Sequence, residues 1–390
     1  MIKCHQIFQQ PKKGLVHQMK KFLFVSADGG SANVHLALAR EMIRRGHNVQ
    51  LLADSRGQAT NIFAKGGVGN PFLARSASDF YSYSKFDAIS VGLDVQANPN
   101  LCREVADVVS TMKIPLFFPA DNYFNHAFPM WREVGYGNWC AINEGHADAI
   151  RKMHPSMDSR AVKVVGQPLF DGLLELLPQR EEIRLTFRKD NGISEEEKIV
   201  LWWSHGIRDL YAEDCEMVLK AVTEVSEIHP LVFIPRLHPA LNTSFDNPDF
   251  CKNEMGRIRK WAPRTLRVLS KVHGAPSSEV LNIAADAVFA GSLSVEGLKA
   301  VLLGNVVIRN FGGRGRKYFE KELLQKWPYW GDVADGRSLC ARDGEEAIAE
   351  LSRTLDDEWG RELESRFIPP QKSLGRVCDY LEEVASKPRS

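Results

Sequence analysis

The sequence lacks the paired cysteines that hold zinc or form a disulfide framework. Its seven cysteines are scattered over 390 residues without a Cys-x-x-Cys spacing or a tight Cys/His cluster, and their number is odd. We therefore expect no bound metal and no disulfide. The distribution is typical of a reducing, cytoplasmic location, where a buried thiol acts as a small apolar side chain.

The sequence also lacks an excess of either charge and any long apolar run. Lys and Arg number 50 against 49 Asp and Glu, and the formal net charge of +1 argues against a nucleic-acid partner, which needs a broad positive field. No run of about 18 apolar residues occurs, so no membrane-spanning helix is predicted. Residues 1–20 are basic and polar without the apolar stretch of a signal peptide, and we interpret them as an N-terminal extension.

What the chain does contain is two successive series of short apolar runs that alternate with helical patterns. The first series opens with an apolar run, a Gly-rich turn, a helical pattern and a second apolar run, which together predict a βαβ unit. Strands are predicted at 22–26, 49–53, 88–91, 115–118 and 162–165, and helices at 32–45, 101–112 and 169–177. In the second series strands are predicted at 199–203, 230–235, 266–269, 287–290 and 306–309, and helices at 213–226, 277–285 and 294–303.

The two series predict an α/β protein with two Rossmann-like domains. A chain of 390 residues exceeds what one hydrophobic core usually supports, and the polar, charged helical segment 180–189 lies between the series. The predicted organisation is an N-terminal extension (1–20), an N-terminal domain (21–178), a C-terminal domain (179–367) and a terminal crossover helix (368–390).

The residues best suited to an anionic ligand follow the strand predicted at 287–290. Gly291 lets the backbone approach a ligand, and Ser292 and Ser294 stand at the mouth of the next helix, where free amides and hydroxyls suit a phosphate. Glu296 in the first helical turn can cap amides or bind ribose hydroxyls. The alternative is that the serines are N-caps and Glu296 completes a capping box, with no ligand present.

Two further loops of the second series carry candidate donor-site residues. Arg236 and His238 follow the strand at 230–235, and offer a permanent charged fork and a switchable donor to a diphosphate. The alternative for His238 is that it caps a loop beside proline. Contacts to the leaving phosphate are predicted for three residues that follow the strand at 199–203: Ser204, Gly206 and Arg208.

In the first series, Asp28 at the end of the first strand is a candidate catalytic base, provided that burial in a cleft raises its pKa. The alternative is that Asp28 and Ser31 only shape the turn and cap the helix. Candidate acceptor-binding residues lie in the same turn and in the polar segment after 115–118, which can equally be a surface loop: Gly29, Gly30, Asp121, Asn122 and His126.

These motifs resemble those of GT-B glycosyltransferases and the related UDP-N-acetylglucosamine 2-epimerases. In that superfamily a small-residue turn, a helix bearing a glutamate and a Gly-x-Pro-Val-like strand form the donor-nucleotide site, which corresponds here to 286–308 with Asn305 where proline is common. The segment 233–239 is similar to the His-Pro motif of bacterial capsule-type transferases, in which the histidine meets the donor phosphate. The segment 165–171 resembles the Gly-x-Pro-x-x-Asp segment that closes the N-terminal domain, and 368–386 resembles the C-terminal helix that returns to it.

The resemblance implies two domains that face a central cleft, and a glycosyltransferase of surface-glycan synthesis. The donor would be a UDP-, CMP-, CDP- or GDP-linked sugar, and the acceptor a hydroxyl of a saccharide or lipid-linked glycan. No other cofactor and no metal is expected, because helix amides and cations can neutralise the leaving phosphate. The expected location is cytoplasmic, with at most peripheral association at the inner face of the membrane; a homodimer, a sugar-nucleotide 2-epimerase of the same fold and an inactive nucleotide-sugar-binding protein stay open as alternatives.

Overall fold

Two parallel β-sheets, one in each half of the chain, form the centre of the protein in the computed structural model. The structure describes residues 18–94, 100–121, 125–291, 294–323, 338–356 and 372–387. The strands of the first sheet are β1 (Lys21–Ser26), β2 (Asn48–Asp54), β3 (Phe72–Ala74), β4 (Ala88–Val91), β5 (Leu116–Pro119), β6 (Asn138–Ala141) and β7 (Val162–Val164). The strands of the second sheet are β8 (Lys198–Trp203), β9 (Leu231–Arg236), β10 (Leu266–Val268), β11 (Ala287–Gly291), β12 (Val307–Asn310) and β13 (Ser338–Ala341).

Helices connect the strands in both halves. Those of the first half are α1 (Gly29–Arg44), α2 (Ala59–Lys65), α3 (Leu101–Thr111), α4 (Glu144–Met153) and α5 (Leu173–Leu176). They are followed by α6 (Arg180–Asp190), α7 (Arg208–Ser226), α8 (Leu241–Ser244), α9 (Phe250–Trp261), α10 (Ser278–Ala284), α11 (Val295–Leu302), α12 (Gly313–Lys317), α13 (Gly344–Leu355) and α14 (Leu374–Ala385).

The two sheets share the order of their first six strands, and the first sheet has a seventh strand at its edge. The order is β3-β2-β1-β4-β5-β6-β7 in the first and β10-β9-β8-β11-β12-β13 in the second, with parallel pairing throughout. In each sheet the first three strands are added in one direction from the first strand, and the chain then crosses back and adds the remaining strands on the other side of the first strand. The reversal point therefore lies between the first and the fourth strand. Ligands of doubly wound folds bind at such reversal points, outside the carboxyl ends of the strands. The topology therefore directs attention to the ends of β1 and β4, and of β8 and β11.

Strand β1 shows why the predicted strands are continuous apolar runs. Leu23 and Val25 pack into one hydrophobic cluster, whereas Phe22 and Phe24 pack into another on the opposite face of the sheet. A strand covered by helices on both faces has no polar side, so its sequence does not alternate. The same holds for β8, in which residues 199–202 are all buried.

The C-terminal helix α14 packs against the N-terminal domain. Its Val377 and Leu381 lie in the cluster that contains Phe22 and Phe24, and Arg45 at the end of α1 pairs with Asp379 at 2.7 Å. The start of α14 is held by Asp171, whose carboxylate accepts hydrogen bonds from the amides of Ser373 (2.6 Å) and Leu374 (2.8 Å). The predicted return of the C-terminal helix to the N-terminal domain is confirmed. The segment 165–171 contributes Asp171 to this contact.

The two halves also meet in an apolar cluster. It contains Ala127, Phe170 and Leu173 from the first half and Ile283, Leu298, Leu303, Phe311, Phe319 and Leu323 from the second. Because α11 contributes Leu298, the helix predicted to hold the donor nucleotide packs against residues of the N-terminal domain in this cluster. The predicted α/β class with two Rossmann-like domains is confirmed.

The structure contains several elements that the sequence did not predict. The strands β3, β6 and β13 and the helices α2, α4, α8, α9, α12 and α13 were not predicted. The predicted helix over 169–177 is instead the 3₁₀ turn Pro168–Phe170, the single helical turn α5 and the 3₁₀ turn Leu177–Gln179. Pro178 accounts for the end of α5, since proline has no amide to continue the helical hydrogen bonds.

Candidate functional site

The end of β1 carries a pair of carboxylates, the half-buried Asp28 and the buried Asp94. Asp28 caps α1 and accepts a hydrogen bond from the Ser31 amide at 3.1 Å. Asp94, which lies just beyond β4, is completely buried and accepts hydrogen bonds from the Ala27 amide and, at 3.0 Å, from the Cys102 thiol. The two residues therefore occupy the reversal point of the first sheet.

This environment changes the acidity of Asp28. Burial, and next the neighbouring Asp94 carboxylate, raise the pKa of Asp28 well above its ordinary value, although amide hydrogen bonds from Ser31 and Gly30 act in the opposite direction. A carboxylate with a raised pKa binds a proton more tightly, and is a stronger base, than a carboxylate with the ordinary pKa. Asp28 thus caps α1, and its pKa is raised, which was the condition set for a catalytic base.

The predicted acceptor-binding residues lie in two places. Asp121 is buried, and its carboxylate occupies the space that a side chain at position 30 would need, so Gly30 permits this close approach. His126 is instead buried beside His146, with 3.2 Å between His126 Nδ1 and His146 Nε2, and burial lowers the pKa of both rings. Asn122 lies outside the described residues.

In the second half, the loops after β8 and β9 are joined by hydrogen bonds. The Ser204 hydroxyl accepts a hydrogen bond from the His238 amide at 2.9 Å. Nδ1 of His238 accepts one from the Ala240 amide at 3.1 Å, so the neutral ring carries its proton on Nε2. Gly206 lies against this ring, since a Cβ at position 206 would be 2.7 Å from His238 Nδ1. Ser204, Gly206 and His238 are therefore brought together as predicted from their loops.

His205 belongs to the same site and was not selected from the sequence. Its ring lies against Gly291 at the end of β11, where a Cβ would be 2.8 Å from Cδ2 of the histidine. Burial and the nearby His238 lower the pKa of His205 to about 3, so the ring is neutral at physiological pH. Only the pairing of β8 with β11 brings these residues together.

The turn before α11 is supported by a buried cation. Ser294 is the N-cap of α11 and accepts a hydrogen bond from the Gly297 amide at 3.3 Å. Arg309 in β12 is fully buried and donates to the Ser294 carbonyl at 3.1 Å. The helix terminus and the guanidinium together give this turn a positive potential. Ser292, in the middle of the turn, lies outside the described residues.

Glu296 in the first turn of α11 has two different oxygens. Oε1 pairs with Lys299 Nζ at 3.0 Å. Oε2 is buried, and within the described parts of the chain it has no hydrogen-bond partner. A buried carboxylate oxygen normally accepts a hydrogen bond, so this atom suits a donor group on a ligand, as the ribose interpretation of Glu296 requires.

The two predicted arginines lie at the edge of the site. Arg236 is exposed at the end of β9, and its carbonyl accepts a hydrogen bond from the Ser204 amide at 3.1 Å. Arg208 is the first residue of α7, and its guanidinium lies over the ring of Phe245 at 4.8 Å. The phosphate contacts expected of Arg236 and Ser292 therefore stay predictions.

Within the described residues, no group of three or more His, Cys, Asp or Glu side chains is arranged to hold a metal ion. The described helices include none that has both the length and the apolar character needed to cross a bilayer.

Comparison with known proteins gives the fold. No family model matches the sequence, and a search of curated proteins found no match. Solved structures match along nearly the whole chain. The Staphylococcus aureus MnaA–UDP structure is 13% identical with a TM-score of 0.68, and the match covers 95% of this chain and 99% of that one. A Methanocaldococcus jannaschii UDP-GlcNAc 2-epimerase in complex with UDP-GlcNAc and UDP is 14% identical with a TM-score of 0.65, covering 94% of this chain and 100% of the other.

A glycosyltransferase from Rickettsia africae is 9% identical with a TM-score of 0.57, and the match covers 95% of this chain and 100% of that one. Two parallel sheets that share the order of their first six strands, a crossover helix that returns to the first domain and these neighbours define the GT-B fold, with two Rossmann-like domains that face a central cleft. The solved neighbours include both glycosyltransferases and 2-epimerases, so the fold alone leaves the reaction open.

Proposed function

We propose that the protein is a glycosyltransferase that moves a sugar from a nucleotide-activated donor to a hydroxyl acceptor. The donor would bind to the C-terminal domain. UDP and UDP-GlcNAc in the solved structures of neighbours support a nucleotide-sugar ligand. The similarity of 233–239 to capsule-type transferases supports surface-glycan synthesis in the cytoplasm, with a saccharide or lipid-linked glycan as acceptor.

The donor side would act on the leaving phosphate. The amides at the start of α11 and the buried Arg309 provide positive potential, and Nε2 of His238 provides a neutral hydrogen-bond donor. Groups fixed in advance around developing charge are effective because they need no rearrangement during the reaction, and each such donor is typically worth about 10²- to 10³-fold in rate.

The observation that carries the proposal is Asp28, a carboxylate with a raised pKa at the reversal point of the other domain. In the proposed step the acceptor oxygen attacks the anomeric carbon, its proton passes to Asp28, and the bond from that carbon to the phosphate oxygen breaks with its electron pair on the phosphate. General base catalysis of this kind is worth about 10²- to 10⁴-fold.

A 2-epimerase is the second candidate, and a specific observation favours it. Asp28 and Asp94 are neighbours, and Asp121 packs against Gly30 at the same edge of the sheet. Inversion at one sugar carbon requires removal of a proton on one face and its return on the other. Several carboxylates in one site can supply both an acid and a base.

The first experiment measures stabilisation by UDP-, CMP-, CDP- and GDP-sugars in thermal unfolding. A ligand at one hundred times its Kd adds about 2.7 kcal/mol to the free energy of unfolding. Stabilisation by one of these donors is expected, and no response to any of them would contradict the proposal.

The second experiment distinguishes the reactions. The stabilising donor, and UDP-GlcNAc in addition, are incubated in D₂O without acceptor and followed by ¹H NMR. An epimerase produces an epimer with deuterium at the inverted carbon, whereas a transferase releases its nucleotide only when saccharide acceptors are added. Asp28→Asn is expected to abolish transfer, and Asp249→Asn, which alters an exposed residue before α9, is the control. Binding without turnover under either condition would indicate an inactive binding protein.

A further inference from the structure

Asp214 is a buried carboxylate beside the loop that follows β8. It lies on α7, is 2% exposed, and lines a small cavity together with His205, Asn310 and Gly312. The proposed reaction makes no use of this carboxylate. Because a buried charge is costly unless it is hydrogen-bonded, the partners of Asp214 show what it does.

Three N–H groups donate to Asp214. Trp202 Nε1 donates to Oδ2 at 2.9 Å, and the Asn310 side-chain amide donates to Oδ1. The third donor is the backbone amide of His205. Trp202 belongs to β8 and Asn310 to β12. One carboxylate therefore joins two strands of the second sheet to the loop that carries His205.

The loop that Asp214 holds also fixes His238. On one side of His205 is Ser204, whose hydroxyl accepts a hydrogen bond from the His238 amide at 2.9 Å. On the other side is Gly206, against which the ring of His238 lies. A shift of the His205 amide would therefore disturb both contacts of His238. Asp214 would thus act on the donor through this loop.

The arrangement matches the ionised form of Asp214. A carboxylate can accept all three hydrogen bonds, whereas a carboxylic acid also needs an acceptor for its own proton. An acceptor within reach is Asn310 Oδ1, which is buried and has no partner among the described residues. To use it, the Asn310 amide has to turn over, and its own donation to Asp214 is then lost. Burial raises the pKa of Asp214 to about 7, so both forms occur near neutral pH.

The ionisable groups packed around Asp214 come from its own helix, the loop after β8 and the start of α12: Glu213, Cys215, His205 and Arg314. The Glu213 carboxylate raises the pKa of Asp214 further, and accepts a hydrogen bond from the Arg314 amide at 3.0 Å. Burial lowers the pKa of His205 to about 3 and raises that of Cys215 to about 12, so both stay neutral near pH 7. A change of charge in this cavity near neutral pH is therefore assigned to Asp214.

We infer that Asp214 is a positioning residue of the donor site, whose ionised carboxylate fixes the loop 204–206 and is required for tight binding of the nucleotide sugar. The inference rests on the proposed nucleotide-sugar function. A group with a pKa near 7 is only about one-tenth ionised at pH 6, and the apparent Kd rises in inverse proportion to the competent fraction. Binding is therefore about tenfold weaker at pH 6 than at pH 8, and at pH 6 it releases about one proton.

The test measures Kd by isothermal titration calorimetry at about pH 6 and pH 8, for UDP-GlcNAc and for any other nucleotide sugar that stabilises the protein in thermal unfolding. Nucleotide sugars are used because their phosphate groups stay fully ionised over this range. Titration at the lower pH in two buffers of different ionisation enthalpy gives the number of protons released. The matched control is Glu216→Gln, which alters an exposed carboxylate of the same helix. Wild type and this control are expected to show the tenfold change in Kd and the proton release.

Asp214→Asn has the shape of the protonated acid and no charge at any pH. It is expected to bind at both pH values with the weak affinity of wild type at the lower pH, and to lack the proton release. Trp202→Phe keeps the carboxylate but removes one of its donors, so the change in Kd should move to higher pH; it provides a second variant if Asp214→Asn folds poorly.

An equal Kd of wild type at both pH values would overturn the inference, and this result needs no variant. A tenfold change in Kd that persists in Asp214→Asn would also overturn it, because a merely structural role of Asp214 gives that outcome. If the wild type binds no nucleotide sugar at either pH, the proposed function itself fails.

Discussion

Replacing Gly206 by alanine is expected to disable the donor side of the site while the protein stays folded. The ring of His238 lies so close to Gly206 that an added Cβ would be 2.7 Å from Nδ1, 3.0 Å from Cε1 and 3.1 Å from Cγ. The φ angle of Gly206 is not in the left-handed region, so alanine meets no backbone strain there. The added Cβ therefore acts on the ring of His238 and not on the backbone at position 206.

The displacement follows from these distances. Ordinary van der Waals contact begins at about 3.4 Å, so the ring has to move by at least about 0.7 Å. This movement breaks the hydrogen bond of 3.1 Å from the Ala240 amide to Nδ1, which fixes the proton on Nε2. A misplacement of about 1 Å in a catalytic group can cost about 10²-fold in rate. Overpacking of this kind costs about 1–3 kcal/mol of stability.

The assay compares kcat for sugar transfer and Kd for the donor nucleotide, with urea unfolding as the measure of stability. The control is Gly256→Ala in α9, where an added Cβ meets no atom within 4 Å. This control is expected to leave activity unchanged and to stabilise the helix by about 0.5–1 kcal/mol. Wild-type kcat and Kd in Gly206→Ala would refute the placement of His238 in the donor site.

Three further perturbations test the electrostatics of both halves. Asp94→Asn removes the like charge beside Asp28 and should lower the pKa of Asp28 measured by ¹³C NMR titration; an unchanged titration would contradict the pairing. Burial raises the pKa of Asp214 in α7 to about 7, so the folded state holds this proton more tightly than the unfolded state. Its contribution is complete below about pH 4 and is lost as the pH rises through 7, so wild type should lose on the order of 4 kcal/mol between these limits relative to Asp214→Asn in urea unfolding; parallel curves would exclude this. Arg309→Met leaves the Ser294 carbonyl without its buried donor and should cost about 1–3 kcal/mol and weaken nucleotide binding; full stability with full affinity would disprove its role at the turn.

The sequence predicted the buried strands at the centre of each sheet well because their signals are local. The apolar run at 88–91 coincides with β4, and the run at 199–203 lies within β8, since strands buried on both faces need apolar side chains throughout. The alternative interpretation of Ser294 as a helix cap agrees with the structure, in which it is the N-cap of α11. The short strands β3 and β13 were missed because neither is a continuous buried apolar run: only Ala74 of β3 is buried, and β13 begins at a serine.

Site residues were predicted where a strand ends in a polar or glycine-rich turn, as at Asp28, Ser204 and His238. Their mutual contacts could not be predicted, because they depend on which strands are neighbours. His205 was overlooked for this reason, since Gly291 reaches it only through the pairing of β8 with β11. Hydrogen-bonded register between distant segments decides such contacts.

The amino-acid sequence by itself thus determined the two α/β halves, the turns at the ends of the strands and the types of side chain that they carry, because propensity and apolar period act over a few residues. The tertiary structure alone decided that Asp94 lies beside Asp28 and that Lys299 joins Glu279 to Glu296. Burial and charge at such contacts set the pKa values and side-chain positions on which the chemistry depends, and both arise only when remote segments pack together.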